Sequence, residues 1–280
     1  MPEGHTIHRL AADHQERFGG RAVRALSPQG RFAAGAALID GQECTGAEAH
    51  GKHLFLGFRD GDRGPAPPGN RWVHIHLGLY GKVTFGTGAA PAPAGQIRLR
   101  LTVPEGYADL RGPNTCELIT RGEKQDLHLR LGPDPLRPDA DPDKAFARIS
   151  RSSIALAALL LDQKIIAGVG NVYRAEVLFR HGIDPFRPGR DLSRAEWDTL
   201  WTDLTALLRE GVRHNRIDTV RPEHTPAAMG RPPRVDDHGG EVYVYRRAHQ
   251  HCLVCGGDIR TAPLFGRNLF WCPGCQPPYR

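Results

Sequence analysis

Leu161-Asp-Gln-Lys-Ile-Ile-Ala-Gly-Val-Gly-Asn171 decides how the second half of this 280-residue chain is read. It joins two apolar stretches through Gly168-Val-Gly170. Glycines at such a join let the chain turn sharply and bring backbone N–H groups close to a ligand. Asn171 is placed as the N-cap of the next helix. Free N–H groups at a helix start form an anion site, and a phosphate is a natural occupant. Taken alone, the pattern fits a plain helical hairpin as well.

Helical periodicity continues on both sides. Residues 153–161 read as a buried helix, and Asn171–Arg180 as another with Val172, Ala175, Val177 and Leu178 as its apolar set. Ser193-Arg-Ala-Glu196 is a capping box. It opens an amphipathic helix with Trp197, Leu200, Trp201, Leu204, Leu207, Leu208 and Val212 on one stripe. Residues 216–240 are polar and rich in Pro and Gly, which predicts a long mobile loop.

The first half follows a different period. Ile7, Leu10, Ala11, His14 and Phe18 recur at helical spacing until Gly19-Gly20 stops them. Strand-like alternation follows. Val73, Ile75 and Leu77 share one face with His74 and His76 on the other, and residues 97–103 point Arg98 and Arg100 outward. Gly/Pro-rich breaks fall at 61–69 and 86–95. The fold class is α+β and multidomain: an N-terminal β-sandwich or barrel with one N-terminal helix over 1–130, then a helical domain over 143–243 and a terminal segment over 244–280. Residues 131–142, with four prolines and three acidic residues among them, read as a solvated linker.

Composition narrows the function. Hydrophobic residues at 40% and charged residues at 24% describe a globular chain, not a disordered one. The longest apolar run has eight residues, too few to cross a bilayer, and the start lacks a signal-peptide pattern. A cytoplasmic protein associated with the nucleoid and not with membrane is expected. A formal charge of +6 favours a polyanionic partner, most often nucleic acid. Only five of the 37 cationic residues are lysines, so Lys52 and its few fellows carry more information than the arginines. No long exposed apolar stretch calls for a dimer, and a monomer is expected.

Four of six cysteines form Cys252-x-x-Cys255 and Cys272-x-x-Cys275, sixteen residues apart. That spacing predicts two knuckles around one Zn2+, with a β-hairpin between them and Gly266-Arg267-Asn268 at or near its tip. Four thiolates fill the shell, which makes the ion structural and leaves His249 and His251 as alternative ligands or as exposed residues facing phosphate. Tyr243, Tyr245, Arg246 and Arg247 lead into this segment, and cations beside aromatics suit phosphate and base contact. Cys44 and Cys116 have no assigned role beyond that of small buried hydrophobes.

The start is Met1-Pro2-Glu3. Removal of Met1 would leave Pro2 as a secondary amine with a pKa of about 7.7–8.0, partly unprotonated near neutrality and able to attack an electrophilic carbon. Glu3 is placed to move protons beside it.

Together, Met-Pro-Glu, the Gly-Lys at 51–52, the segment Leu160-Leu-Asp-Gln-Lys-Ile-Ile-Ala-Gly-Val-Gly-Asn-Val-Tyr-Arg174 and Gly266-Arg-Asn-Leu-Phe-Trp-Cys272 resemble the formamidopyrimidine-DNA glycosylase/endonuclease VIII family of base-excision repair. The resemblance spans essentially the whole chain and implies a β-sandwich, a helix–two-turns–helix domain and a zinc-ribbon hairpin. It implies that Pro2 forms a Schiff base at deoxyribose C1′, with Glu3 as proton donor and relay. Lys52 would contact phosphate and assist β-elimination, and Arg267 would grip phosphate and assist δ-elimination. Arg130, Gly170 and Asn171 match DNA-contacting positions. The loop His76-Leu-Gly-Leu-Tyr-Gly81 is similar to the endonuclease VIII branch, with Leu79 and Tyr80 as wedges into the helix gap. Gly78 stands where that branch has glutamine. Ala108-Asp-Leu-Arg-Gly-Pro-Asn114 supplies Arg111 but no phenylalanine, and position 6 lacks the second glutamate of the formamidopyrimidine branch. Both departures favour oxidised pyrimidines over 8-oxoguanine, and the pattern most resembles a second endonuclease VIII-like protein of actinobacteria. The implied partner is damaged DNA, as duplex, bubble or single strand. The alternatives are a lyase acting only at abasic sites, and a damaged-DNA-binding protein without turnover.

Overall fold

The computed structural model describes residues 2–59, 71–235 and 240–279. Met1, the Gly/Pro break at 61–69 and residues 236–239 of the expected loop lie outside them. The chain divides into two compact bodies: Pro2 with Thr6–Arg130, and Glu3–His5 with Leu131–Arg280.

The first body begins with α1 (Gly4–Phe18), of which Gly4 and His5 belong to the second body. Ile7, Leu10, Ala11, His14 and Phe18 are all buried, the set its spacing predicts. Two four-stranded antiparallel sheets follow. One is ordered β1 (Arg24–Leu26), β6 (Ile97–Val103), β7 (Gly106–Arg111), β5 (Lys82–Thr87). The other is ordered β2 (Cys44–His50), β3 (His53–Phe58), β4 (Arg71–His76), β8 (Thr115–Thr120). Leu54, Leu56, Val73, Ile75, Leu99, Leu101, Ala108 and Leu110 form the core with the buried face of α1. Two further helices were not foreseen, α2 (Ala33–Ile39) and α3 (Arg121–Arg130). The first buries only Ala36 and Ile39, and the second only Lys124, so neither writes an apolar stripe into the sequence.

Arg100 does not face outward. It is buried and opposes Asp109 across the β6–β7 register. Its Nε donates to Oδ1 at 2.6 Å and its Nη2 to Oδ2 at 2.8 Å. A bidentate partner is what lets a guanidinium stay inside. His74 is buried as well, because the rings of His53 and Phe55 stack on it at 5.1 and 5.2 Å. Alternation separates two faces; it does not say whether the polar one is covered.

In the second body, residues 131–142 are not a solvated linker. Gly132 N–H donates to the Gln163 carbonyl, Ala167 N–H donates to the Pro133 carbonyl, and Asp134 is buried. The helices are α4 (Pro142–Ile149), α5 (Leu156–Leu159), α6 (Asn171–Arg180), α7 (Arg194–His214) and α8 (Pro226–Met229). The helix expected over 153–161 is thus a single buried turn. The capping box at Ser193 and Glu196 is present, and α7 buries Trp197, Leu200, Leu204, Leu207 and Leu208. The described part of 216–240 is tied in at Ile217 and Thr219, both buried, and Thr219 N–H donates to the Glu241 carbonyl at 2.8 Å. The body ends in a hairpin of β9 (Arg260–Leu264) and β10 (Arg267–Trp271). No helix among the described residues is long and apolar enough to cross a membrane.

Three histidines carry a pH signature. Burial pushes His5 and His14 down to about 4 and His53 down to about 3 from an ordinary 6.5. Their neutral forms are held in the fold, while the unfolded chain takes up protons below about 6.5. Stability is therefore complete above that pH and falls as acid carries the solution toward the folded values, by about 1.4 kcal/mol per pH unit for each histidine. Melting temperatures from pH 7.5 to 5 will decline, and His14→Phe will flatten the decline. An unchanged slope in that variant would contradict the assignment.

Candidate functional site

The N-terminus of α6 is occupied from within. Glu3 is fully buried. Its carboxylate accepts the Gly170 N–H at 2.9 Å, the Val172 N–H at 2.8 Å and the Tyr173 N–H at 3.4 Å. These are the orphan donors that every helix start presents, at the positive end of the dipole. The anion expected there as a phosphate is thus a side chain of the same chain. Asn171 is not the N-cap; Gly170 is, and it has no side chain to cap with. The glycines allow the approach. Gly168 has φ +92°, and a Cβ on Gly4 would lie 2.9 Å from the Gly168 Cα. Gly4 N–H in turn donates to the Gly168 carbonyl at 2.8 Å.

The freed Asn171 side chain has other work. Its Nδ2 donates to the Asn268 carbonyl at 2.9 Å, and Arg174 Nη2 reaches the same oxygen at 3.5 Å. Arg174 is fully buried, and burial lowers its guanidinium to about 10. Both side chains thus fix the residue next to Arg267. Arg267 is exposed as the first residue of β10. The tip itself is Phe265-Gly266, because Leu264 pairs with Arg267, so Gly266-Arg267-Asn268 lies at and next to the tip as expected.

Cys252, Cys255, Cys272 and Cys275 place their sulfurs within 4.8 Å of one another. Cys252 and Cys275 Sγ are 3.7 Å apart, and Cys255 and Cys272 Sγ are 3.4 Å apart. Four sulfurs at ~2.3 Å from a tetrahedral ion would be separated by about 3.8 Å, so the set fits a metal. His249 and His251 are exposed and outside the cluster. The aromatic and basic run before the cluster is mostly core: Tyr243, Tyr245 and Arg247 are buried, and only Arg246 is exposed. Its organiser escaped the sequence reading. Glu176 is fully buried and accepts N–H bonds from Tyr243, Val244 and Tyr245 at 2.7–2.8 Å.

The first body carries the remaining candidates. Pro2 is half-buried ahead of α1. Half-buried Lys52 follows Gly51 (φ +58°) in the two-residue turn between β2 and β3. Leu79 and Tyr80 are 44% and 84% exposed on the β4–β5 loop, which closes with a Gly81 N–H to Leu77 carbonyl bond of 3.0 Å. A side chain at Gly78 would meet the Asn114 amide at 2.5 Å, so that amide fills the space a glutamine at 78 would need. Arg130 is exposed at the end of α3. Beside Lys52 lies a chain of groups the sequence did not announce. His53 Nδ1 meets His74 Nε2 at 2.8 Å, and His74 Nδ1 meets Glu117 Oε1 at 2.8 Å.

A Cβ on Gly170 would lie 2.3 Å from the Glu3 Cδ. Gly170→Ala will therefore push the carboxylate off its donors and cost about 2–4 kcal/mol of stability. Calorimetry of the variant against the parent measures this, and an unchanged melting temperature would show that Glu3 is not locked there.

A model of the formamidopyrimidine-DNA glycosylase N-terminal domain matches residues 1–116, and one of the formamidopyrimidine-DNA glycosylase H2TH domain matches residues 131–221. The chain is 52% identical to Endonuclease 8 1 of Mycobacterium tuberculosis, over 99% of this chain and 100% of the relative. It is 30% identical to Probable endonuclease 8 2 of Streptomyces coelicolor, over 99% of this chain and 94% of the relative. Identity is thus higher to the protein numbered 1 than to the one numbered 2. Lactococcus lactis Fpg, solved with abasic-site DNA, shares the fold with a TM-score of 0.76 at 22% identity, covering 99% of this chain and 100% of that one. The chain belongs to the formamidopyrimidine-DNA glycosylase/endonuclease VIII family, the DNA glycosylase/AP lyases of base-excision repair.

Proposed function

We propose that the chain removes oxidised pyrimidines from DNA and cleaves the resulting abasic site, with Pro2 as nucleophile once Met1 is lost. The observation that carries this reading is the anchoring of Glu3, one residue from Pro2, by three backbone N–H groups. A nucleophile tethered to a fixed neighbour loses little orientational entropy on attack.

The damaged nucleotide must leave the stack to be reached. The Pro2 nitrogen then attacks C1′ of its deoxyribose, and the C1′–N bond breaks as the base departs with a proton. The ring oxygen opens, taking a proton for which Glu3 is the nearest carboxyl in sequence. The iminium makes the C2′ proton acidic. Its removal drives electrons into the C2′–C3′ bond and expels the 3′ phosphate. Lys52 and Arg267 are cations for the flanking phosphates. Leu79 and Tyr80, exposed on one loop, enter the gap in the stack, with Asn114 beside them. Arg130 contacts the backbone. Gly170 and Asn171 act indirectly, the first by housing Glu3 and the second by holding Asn268 beside Arg267. The endonuclease 8 names of the relatives support a glycosylase/AP lyase of oxidised bases, the pyrimidine choice resting on the Leu79-Tyr80 loop, and a DNA substrate supports work at the nucleoid.

The test is reductive trapping. Borohydride with duplexes carrying an oxidised pyrimidine or an abasic site will yield a covalent adduct through Pro2, and protein retaining Met1 will yield none. Tight binding without an adduct on either duplex would favour a non-enzymatic role; an adduct on the abasic duplex alone would favour a lyase.

We also place one Zn2+ among the four cysteine sulfurs, where it supplies folding energy to the hairpin. Elemental analysis will give one zinc per chain. Chelation or Cys272→Ser will loosen the hairpin and weaken DNA binding. Full DNA affinity in metal-free protein would refute the placement.

A further inference from the structure

The hairpin between the cysteine pairs turns on Phe265-Gly266. Both residues have positive φ, +48° and +71°. Such two-residue turns favour Asn-Gly or Gly-Gly, because the first position must adopt a left-handed backbone. Phenylalanine is a poor choice for it on conformational grounds. Nor does its ring compensate by burial: Phe265 is 68% exposed. A bulky apolar side chain at a strained, exposed position calls for an explanation outside the fold.

Its surroundings supply one. Arg267, an exposed cation, stands two residues on. Phe265 also walls a mostly apolar depression of about 240 Å3 with Ile154, Ala158, Leu159 and Leu161, and with one carboxylate, Asp162, on its lining. Exposed Lys164 lies three residues beyond Leu161. Aromatic ring, apolar floor and flanking cations are the elements that hold an unstacked nucleotide: the ring takes the base face and the cations take the phosphates. We propose that Phe265 is a DNA-contacting residue, whose ring stacks on an unpaired base of the strand that Arg267 grips. The inference rests on the reading of Arg267 as a phosphate contact.

The experiment measures affinity for a single-stranded oligonucleotide, its salt dependence and the melting temperature, for Phe265→Asn, Phe265→Trp and Arg267→Ala in the full zinc-loaded chain. Asparagine suits a left-handed backbone, so Phe265→Asn will hold or raise the melting temperature. It will weaken binding by about tenfold, with an unchanged salt slope, because stacking releases no counterions. Phe265→Trp will retain affinity. Arg267→Ala will weaken binding and reduce the salt slope by about one. A lower melting temperature in Phe265→Asn would mean that the ring holds the hairpin together and would overturn the proposal. So would unchanged affinity in that variant while Arg267→Ala binds weakly. If Arg267→Ala also binds normally, the phosphate reading of the tip fails as well, and the two failures are thereby distinguished.

Discussion

A buried carboxylate at a helix start governs the second body. Glu3 takes the N–H groups of Gly170, Val172 and Tyr173, which burial would otherwise leave without partners. Leaving one such donor unpaired costs about 1–3 kcal/mol. The charge of Glu3 is in turn tolerable inside only because those donors and the helix dipole face it. Each needs the other, so residues far apart in sequence fold as one unit. The constraint reaches further through Asn171, whose side chain is released from capping and holds Asn268.

Glu176 repeats the device on the same helix. It is buried within α6, and its oxygens collect the N–H groups of Tyr243, Val244 and Tyr245 and the Thr219 hydroxyl. The segment it gathers leads directly to Cys252. One helix therefore carries at its start the carboxylate contributed by Glu3, and in its middle the carboxylate that seats the approach to the hairpin. Neither arrangement needs a long apolar stripe. This explains how a helix of ten residues, nine of them buried, can include Asn171, Arg174 and Glu176 without breaking its core.

What was legible in the sequence follows from this physics. The apolar face of α1, the capping box of α7 and the paired cysteines are local patterns, and each appears where its spacing puts it. What failed is non-local. Nothing near Asn171 says that Glu3, 168 residues earlier, supplies the cap. Nothing in 131–142 says that its backbone will find carbonyl and N–H partners in 163–167. Arg100 looks like an outward cation until Asp109 is placed opposite it on the next strand. Tyr243 and Arg247 look like a nucleic-acid surface until their burial is known. Of the candidate site residues, Pro2, Lys52, Leu79, Tyr80 and Arg267 are proposed from motifs; the contacts of Asn114, Arg174 and Glu176 required coordinates.

The histidines around Lys52 bear on what that lysine can do. His50 and His53 flank its turn, and His76 packs on His53 at 5.0 Å. Were these rings charged, they would repel the Lys52 ammonium. Burial lowers the pKa of His53 and His76, which favours neutral rings there beside the Lys52 turn. The His53–His74–Glu117 chain fixes ring orientation by hydrogen bonds instead of by charge. A polar face packed with imidazoles thus lies beside the turn, with His53, His74 and Glu117 tied by hydrogen bonds. The same choice underlies the acid sensitivity expected of this body: protonating His53 would introduce repulsion that a neutral ring avoids.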